Sequence, residues 1–200
     1  GSSSMLFPLN QDYNKLSFSI DAAASLVFLM RKQRDAFGVS VFSDQLDFYS
    51  PSKSSLTHQR FILTNLEKII KKKYSQDSKL TADISVAINR MAMTISKRSL
   101  VFIFSDFMAV TNFNEFANSI KHLRHHMHEI VVFDVSHNQL ENELSLKNKY
   151  YNVVDMETGE KIKLHPTEIK EKFIQRRSEF RAKLKRTLVN QKVEFISANI

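Results

Sequence analysis

The feature that most constrains the fold is a short apolar run at residues 100–104, Leu-Val-Phe-Ile-Phe, followed directly by Ser105 and Asp106. The run is rich in β-branched and aromatic residues and too short for a helix, which is typical of a strand covered on both faces in a parallel sheet. In open α/β sheets, ligands bind at the carboxyl ends of the strands. The Ser-Asp pair is therefore the best candidate for a functional site. The alternative is a helix cap, because Ser and Asp accept hydrogen bonds from the N–H groups at a helix start.

Helical and strand patterns alternate along most of the chain. The predicted helices cover about residues 10–34, with Asp12 as the cap, 57–71, 82–95, 113–127, capped near Thr111 or Asn112, and 166–190, with a short helical piece at 139–144. The predicted strands cover residues 36–42, 46–49, 100–104, 129–135 and 192–197, and a hairpin turning at Gly159 joins 150–154 to 161–164. The inward face of the second helix is predicted to be Phe61, Ile62, Leu66, Ile69 and Ile70. This order predicts βαβ units and a mostly parallel sheet flanked by helices.

Composition narrows the class of protein. A chain of 200 residues, 42% of them hydrophobic, predicts a single domain over residues 1–200, in which residues 145–200 form the hairpin, a long basic helix and the last strand. The absence of cysteine excludes disulfides, thiolate metal sites and cysteine nucleophiles, and fits a reducing, cytoplasmic location. No apolar run approaches the roughly 18 residues of a membrane span. Neither a Gly-rich phosphate loop nor a Gly-x-Ser-x-Gly motif occurs, so we expect a protein that is not an enzyme.

Positive charge is concentrated on the last predicted helix. The chain has 29 Lys and Arg against 21 Asp and Glu, a net charge of +8, which favours acidic partners. Eight of the basic residues lie on this helix: Lys170, Lys172, Arg176, Arg177, Arg181, Lys183, Lys185 and Arg186. A nucleic-acid reader should interleave such charge with exposed aromatic residues, whereas here the aromatics fall on the predicted buried stripe. We therefore expect docking to an acidic protein surface ahead of nucleic-acid binding.

Four histidines cluster near the end of the fourth predicted helix: His122, His125, His126 and His128. His122 and His126 stand four residues apart, a spacing that can hold a transition metal. The local sequence fixes no third ligand. A solvated helix end is the favoured interpretation.

Three motifs, taken together, resemble the von Willebrand factor A-type domains. Ser2-x-Ser4-Met5 is similar to the end of their Asp-x-Ser-x-Ser motif, residues 34–43 resemble their second strand with its Arg-Asp lead-in, and Ser105-Asp106 resembles the Ser-Asp of their metal-ion-dependent adhesion site. The Arg-Asp lead-in, Met5, and the hairpin at residues 157–160 before a long basic helix are similar, more narrowly, to the bacterial family called domain of unknown function 58. The resemblance spans nearly the whole chain.

The resemblance implies a Mg²⁺ site built from oxygen ligands, with open positions that a partner's carboxylate can complete. Carried over by position, the metal ligands are Ser2, Ser4, Thr81 and Asp106. The Asp of the first motif would stand before Gly1, and a gapless alignment places Ala82 where the Thr is expected. The chain as given is therefore expected to bind the metal weakly.

The resemblance also implies a role. It predicts a von Willebrand factor A-like fold whose first central strand is truncated, acting as a binding and scaffolding module with a MoxR-type AAA+ ATPase as partner. The alternative is a basic nucleic-acid-binding module that uses the last helix. Without the first strand, the strands at residues 36–42 and 100–104 are expected to pair directly, to borrow residues 5–9, or to accept a strand from a second copy of the chain.

Overall fold

The computed structural model describes residues 3–8, 13–43, 46–71, 84–144, 151–154 and 161–200. The chain divides into two compact units, Gly1–Ala82 and Asp83–Ile200, and each is described by itself. The expectation of a single domain over residues 1–200 stays a prediction.

The first unit holds a short 3-10 helix, Ser3–Leu6, two α-helices and a two-stranded sheet. Helix α1 spans Lys15–Gln33 and helix α2 spans Leu56–Lys71. The cap of α1 is Asn14, whose side chain accepts a hydrogen bond from the Ser17 N–H at 2.9 Å. The helix thus begins later than the expected residue 10, because the Asn14 side chain satisfies one of the unpaired N–H groups of its first turn. The expected cap, Asp12, lies outside the described residues.

The sheet of the first unit is antiparallel. Strand β1, Ser40–Phe42, pairs with strand β2, Leu46–Tyr49. The expected strand over residues 36–42 is shorter in the structure, and its beginning is reduced to a single bridge between Phe37 and Lys53. Gly38 lies between the two, where an added Cβ would stand 2.6 Å from the Ser50 carbonyl oxygen. Only glycine fits this close approach of two backbone segments.

Helix α2 buries a narrower stripe than its sequence predicts. Ile62, Leu66 and Ile69 are buried, but Phe61 and Ile70 are 49% and 43% exposed, so their predicted inward orientation was wrong. His58 takes the inward place instead, with Nε2 3.2 Å from the Phe37 carbonyl and 3.3 Å from the Ser50 hydroxyl. A buried polar ring is tolerated there because those two oxygens satisfy it.

The second unit contains the parallel sheet that the sequence predicts. Strands β3, Leu100–Ser105, β4, Glu129–Ser136, and β7, Glu194–Asn199, are all parallel, in the order β3-β4-β7. Helices α3, Ile84–Thr94, α4, Phe113–His125, and α5, Pro166–Asn190, supply the rest of its core. Val132 of β4 and Leu184 and Leu188 of α5 have no exposed area. Burial of such side chains is worth about 1.5–3 kcal/mol each and is what joins helix to sheet.

Two smaller elements complete this unit. A π-helix occupies Asn138–Asn142, where the sequence predicts a short helical piece. Strands β5, Tyr151–Val154, and β6, Lys161–Leu164, form the expected antiparallel hairpin, whose turn at Gly159 lies outside the described residues.

Two of the three arrangements expected for a missing first strand are not observed among the described strands, and pairing with a second copy of the chain stays a prediction. Strand β1 pairs with β2, and β3 pairs with β4, so the expected direct pairing of residues 36–42 with 100–104 is not what the described strands show. Residues 5–6 belong to the 3-10 helix rather than to a borrowed strand.

In the described parts of the chain, no helix combines the length and apolarity that crossing a membrane requires.

Candidate functional site

Ser105 and Asp106 lie at the carboxyl end of β3, as predicted, and both side chains bind the turn that follows. The Ser105 hydroxyl accepts a hydrogen bond from the Phe107 N–H at 3.0 Å, and Asp106 Oδ1 accepts one from the Met108 N–H at 3.2 Å. Asp106 is 2% exposed. These bonds stabilise a tight turn in which Phe107 has a φ of 56°.

The helix-cap interpretation of this pair was wrong. Helix α4 begins at Phe113, and its cap is Asn112, whose side chain accepts hydrogen bonds from the N–H groups of Asn114 and Glu115. Asn112 was one of the two predicted caps. Ser105 and Asp106 instead hold the turn that follows β3 at the edge of the sheet.

The four predicted metal ligands have different outcomes. Asp106 belongs to the second unit, and Ser4 belongs to the 3-10 helix of the first unit. Ser2 and Thr81 lie outside the described residues. Over residues 3–8, 13–43, 46–71, 84–144, 151–154 and 161–200, no three His, Asp or Glu side chains are grouped closely enough to hold a metal ion. The Mg²⁺ site stays a prediction, for which the structure provides a buried carboxylate at the expected strand end.

Sequence reasoning missed a second acidic residue beside Asp106. Asp134 interrupts the apolar run of β4, has no exposed area, and is in register with Ser105 on one side and Ser197 on the other. Arg181 of α5 reaches this row: its Nε donates to Asp134 Oδ2 at 2.7 Å, and Nη2 donates to the Ser197 hydroxyl at 2.5 Å. The signal in the sequence was a lone carboxylate inside a buried strand, which requires a partner.

Charges of both signs meet around Asp134. Burial raises the pKa of its carboxyl group, the Arg181 and Arg177 guanidinium groups oppose that shift, and the negative charge of Asp106 adds to it. Asp106, Asp134, Arg177 and Arg181 thus form one electrostatic group at the carboxyl edge of the sheet, which we call the edge cluster. Two positive and two negative charges balance within it.

Arg177 is, after Arg181, the second arginine of α5 that faces inward. Its side chain is 8% exposed, its Nη1 donates to Met108 Sδ at 3.4 Å, and its guanidinium carbon lies 5.6 Å from the centre of the Phe180 ring. Nε and Nη2 have no hydrogen-bond partner among the described residues, and neither does Asp134 Oδ1. Arg181, one turn along the same helix, has acceptors for both its Nε and its Nη2.

The remaining basic residues of α5 form a separate surface. Lys170, Lys172, Arg176, Lys183, Lys185 and Arg186 are exposed. Phe173 and Phe180 on the same helix are only half-buried, and Phe180 carries Arg177 over its ring. Of the eight basic residues on α5, six are therefore exposed to solvent, and Arg177 and Arg181 belong to the edge cluster.

The histidine cluster is partly a structural feature. His125 and His126 are exposed, in keeping with a solvated helix end, but His128 is 1% exposed and its Nδ1 accepts a hydrogen bond from the Ser99 N–H at 3.1 Å. His122 Nδ1 lies 3.1 Å from the Asn89 side-chain oxygen. His128 connects the beginnings of β3 and β4, a role that the sequence spacing did not predict.

Comparison with known proteins relates the chain to a protein family and to a solved structure. The family model described as "Protein of unknown function DUF58" matches residues 1–186. Among solved structures, the chain is similar to the conserved hypothetical protein BatB from Bacteroides thetaiotaomicron, with 16% sequence identity and a TM-score of 0.55 over 99% of this chain and 86% of that chain. No curated protein matches. At this level of identity the likeness to BatB shows a shared fold.

Proposed function

The chain belongs to the family described as protein of unknown function DUF58, and from that membership we propose that it is a non-catalytic module that binds and scaffolds other proteins. We propose further that its fold is of the von Willebrand factor A type, with a mostly parallel sheet. The predicted partner is a MoxR-type AAA+ ATPase, which the resemblance implies. Docking uses the carboxyl edge of the β3-β4-β7 sheet.

The observation that supports this proposal most is the position of Asp106. It follows a buried strand at the sheet edge where α/β folds bind ligands, and the Met108 N–H fixes its carboxylate. The sheet beneath it is held by the pairing of Asp134 with Arg181. A carboxylate held on a rigid element is what a recognition site needs, because little ordering remains to be done on binding.

A Mg²⁺ ion suits the chemistry of the predicted ligands. Carboxylate and hydroxyl oxygens are the donors it prefers, and it retains several waters when few protein ligands are present. Asp106 would hold the ion, and Ser2, Ser4 and Thr81 are the other proposed ligands. A bound cation would supply an electrophilic position for an acidic group of the partner.

Calorimetry with MgCl₂ tests the metal proposal. We expect weak binding to this chain, tighter binding to a version extended upstream with its natural gene sequence, and loss of both in Asp106→Ala. Asp21→Ala, at an exposed position of α1, is the matched control and should leave binding unchanged. If the extended protein takes up no Mg²⁺ at millimolar concentrations, the metal-dependent part of the proposal fails.

A nucleic-acid-binding module is the second candidate, because six basic residues of α5 are exposed. Phosphate contacts would make DNA retention depend steeply on salt. Replacing exposed Arg176, Lys185 and Arg186 by Glu should then abolish retention. Absence of retention in wild type at low salt would contradict the nucleic-acid-binding proposal.

A further inference from the structure

We propose that Arg177 is a binding point for a carboxylate group of a protein partner, beside Asp106 at the carboxyl edge of the sheet. That the carboxylate comes from a protein rests on the proposed function. The capacity of Arg177 to bind a carboxylate rests on the geometry of this one side chain.

The guanidinium group of Arg177 has one buried edge whose two donors lack acceptors among the described residues. Nη1 donates to Met108 Sδ, and the guanidinium carbon lies 5.6 Å from the centre of the Phe180 ring. Nε and Nη2, which have no acceptor among the described residues, are the two donors on the opposite edge. Their N–H groups run parallel, and this fork matches the two oxygens of a carboxylate. The orientation of the group is therefore already set for a bidentate ligand.

An open fork on a buried arginine calls for an occupant. Buried donors are nearly always paired, because leaving them without acceptors is destabilising. Arg181 shows the satisfied arrangement on the same helix, with Asp134 and Ser197 as acceptors. Asp134 attracts Arg177 electrostatically, yet its Oδ1 has no hydrogen-bond partner in the described part of the chain. The fork of Arg177 is thus close to a carboxylate of its own chain without being closed by it.

The surroundings favour a carboxylate over a phosphate. A phosphate monoester carries a charge of about −1.5 to −2 at neutral pH, and it would lie near the carboxylates of Asp106 and Asp134. A carboxylate brings one negative charge, and two coplanar donors satisfy it. Met108 is 38% exposed and touches Nη1 only through sulfur. Because methionine repacks easily, a shift of Met108 would uncover the guanidinium group to a ligand.

Acetate is the probe for this site, with chloride and phosphate as comparisons at equal ionic strength. In the full chain labelled with ¹⁵N-arginine, we expect sodium acetate to shift the Arg177 Nε–Hε resonance saturably, and sodium chloride not to shift it. Arg177→Lys keeps the charge but lacks the fork. Followed in both proteins through the methyl resonance of Met108, which contacts Arg177, acetate binding should be weakened at least about tenfold in this variant. Arg176→Lys changes the exposed neighbouring arginine and should leave acetate binding unchanged.

Each other outcome overturns part of the proposal. No saturable shift in wild type, or an equal affinity in Arg177→Lys, would show that the fork does not bind a carboxylate. Saturable binding of phosphate but not acetate would overturn the carboxylate assignment. If Arg177→Lys does not fold, the wild-type titration decides alone. Absence of Mg²⁺ binding by the extended protein would remove the metal-dependent part of the proposed function without affecting this test, so the two failures are distinguishable.

Discussion

Asp134 and Arg181 show how one polar residue inside a buried strand determines the orientation of a helix. The carboxylate has no exposed area, so its charge must be compensated, and α5 supplies the guanidinium group at 2.7 Å. Since Arg181 also donates to Ser197, it connects β4 to β7 through side chains as well as through the sheet. This pairing fixes the rotation of α5 and, with it, the inward position of Arg177.

Breaking this pair should destabilise the protein strongly. Arg181→Gln leaves a buried carboxylate without its counter-charge, which we expect to cost about 3 kcal/mol of unfolding free energy. Arg186→Gln, at an exposed position of the same helix, should change it by less than about 0.5 kcal/mol. Urea denaturation measures both. Equal effects of the two variants would mean that the pair contributes nothing beyond surface charge.

His128 is a second residue whose burial has a measurable consequence. Its burial lowers the pKa of the imidazole, and positive charge on His126 lowers it further. Between the lowered folded pKa and the unfolded value of about 6.5, the unfolded state binds more protons than the folded state. The stability that neutral His128 contributes is therefore complete above pH 6.5 and is lost as the pH falls through that window.

The expected result is a drop in stability below pH 6.5 that depends on His128. In His128→Asn, the amide oxygen can still accept from the Ser99 N–H but does not titrate, so the drop should become shallower. His125→Asn, at an exposed neighbour, should retain the full drop. Thermal melts at intervals from pH 5 to 8 measure this. A wild-type profile that is flat over that range would contradict the assignment.

At the scale of elements, the apolar core of each segment was predictable, and its polar contacts were not. The strands at residues 100–104 and 129–135 are observed almost as predicted because short apolar runs mark them, and the helix at 166–190 because a long apolar periodicity marks it. Helix α1 begins about five residues later than predicted and β7 is shifted by two residues, since local hydrogen bonds such as that of Asn14 decide boundaries.

The candidate site was predictable only where a motif marks it. The position of Asp106 at the end of β3 follows from the apolar run before it. The participation of Arg177 and Arg181 did not follow, because eight basic residues on one helix look alike until packing selects two of them. Phe61 and Ile70 were assigned to the core for the same reason: periodicity gives a stripe, and the neighbouring elements decide its width.

Helix α5 offers a sharp test of its packing register. Leu188 has no exposed area, whereas its neighbour Val189 is 54% exposed. Leu188→Ala should therefore cost about 3 kcal/mol through lost burial and a residual cavity, and Val189→Ala less than about 0.5 kcal/mol. Urea denaturation of the two variants compares them directly. Similar losses at both positions would mean that the helix is rotated from the register described.

At the scale of the whole molecule, each unit has its own hydrophobic core. Met5, Leu16, Val27 and Ile62 belong to the first, and Val132, Phe116, Leu184 and Leu188 to the second. The first unit builds its core around an antiparallel pair of strands and the second around a parallel sheet. Among the described strands, β3 is hydrogen-bonded only to β4 and so forms an edge of its sheet.

An apolar edge strand is a template for association, because its outer N–H and C=O groups can pair with another chain. Strand β3 has six residues, of which only Ser105 is polar, and Leu100 is 51% exposed. We expect a reversible, concentration-dependent dimer in analytical ultracentrifugation. Leu100→Lys places a charge at this edge and should shift the equilibrium to monomer, whereas Leu56→Lys, at a 46% exposed position of α2, should not. A wild-type chain that stays monomeric up to about 100 µM, well above the micromolar range of weak specific complexes, would show that the β3 edge does not template a dimer.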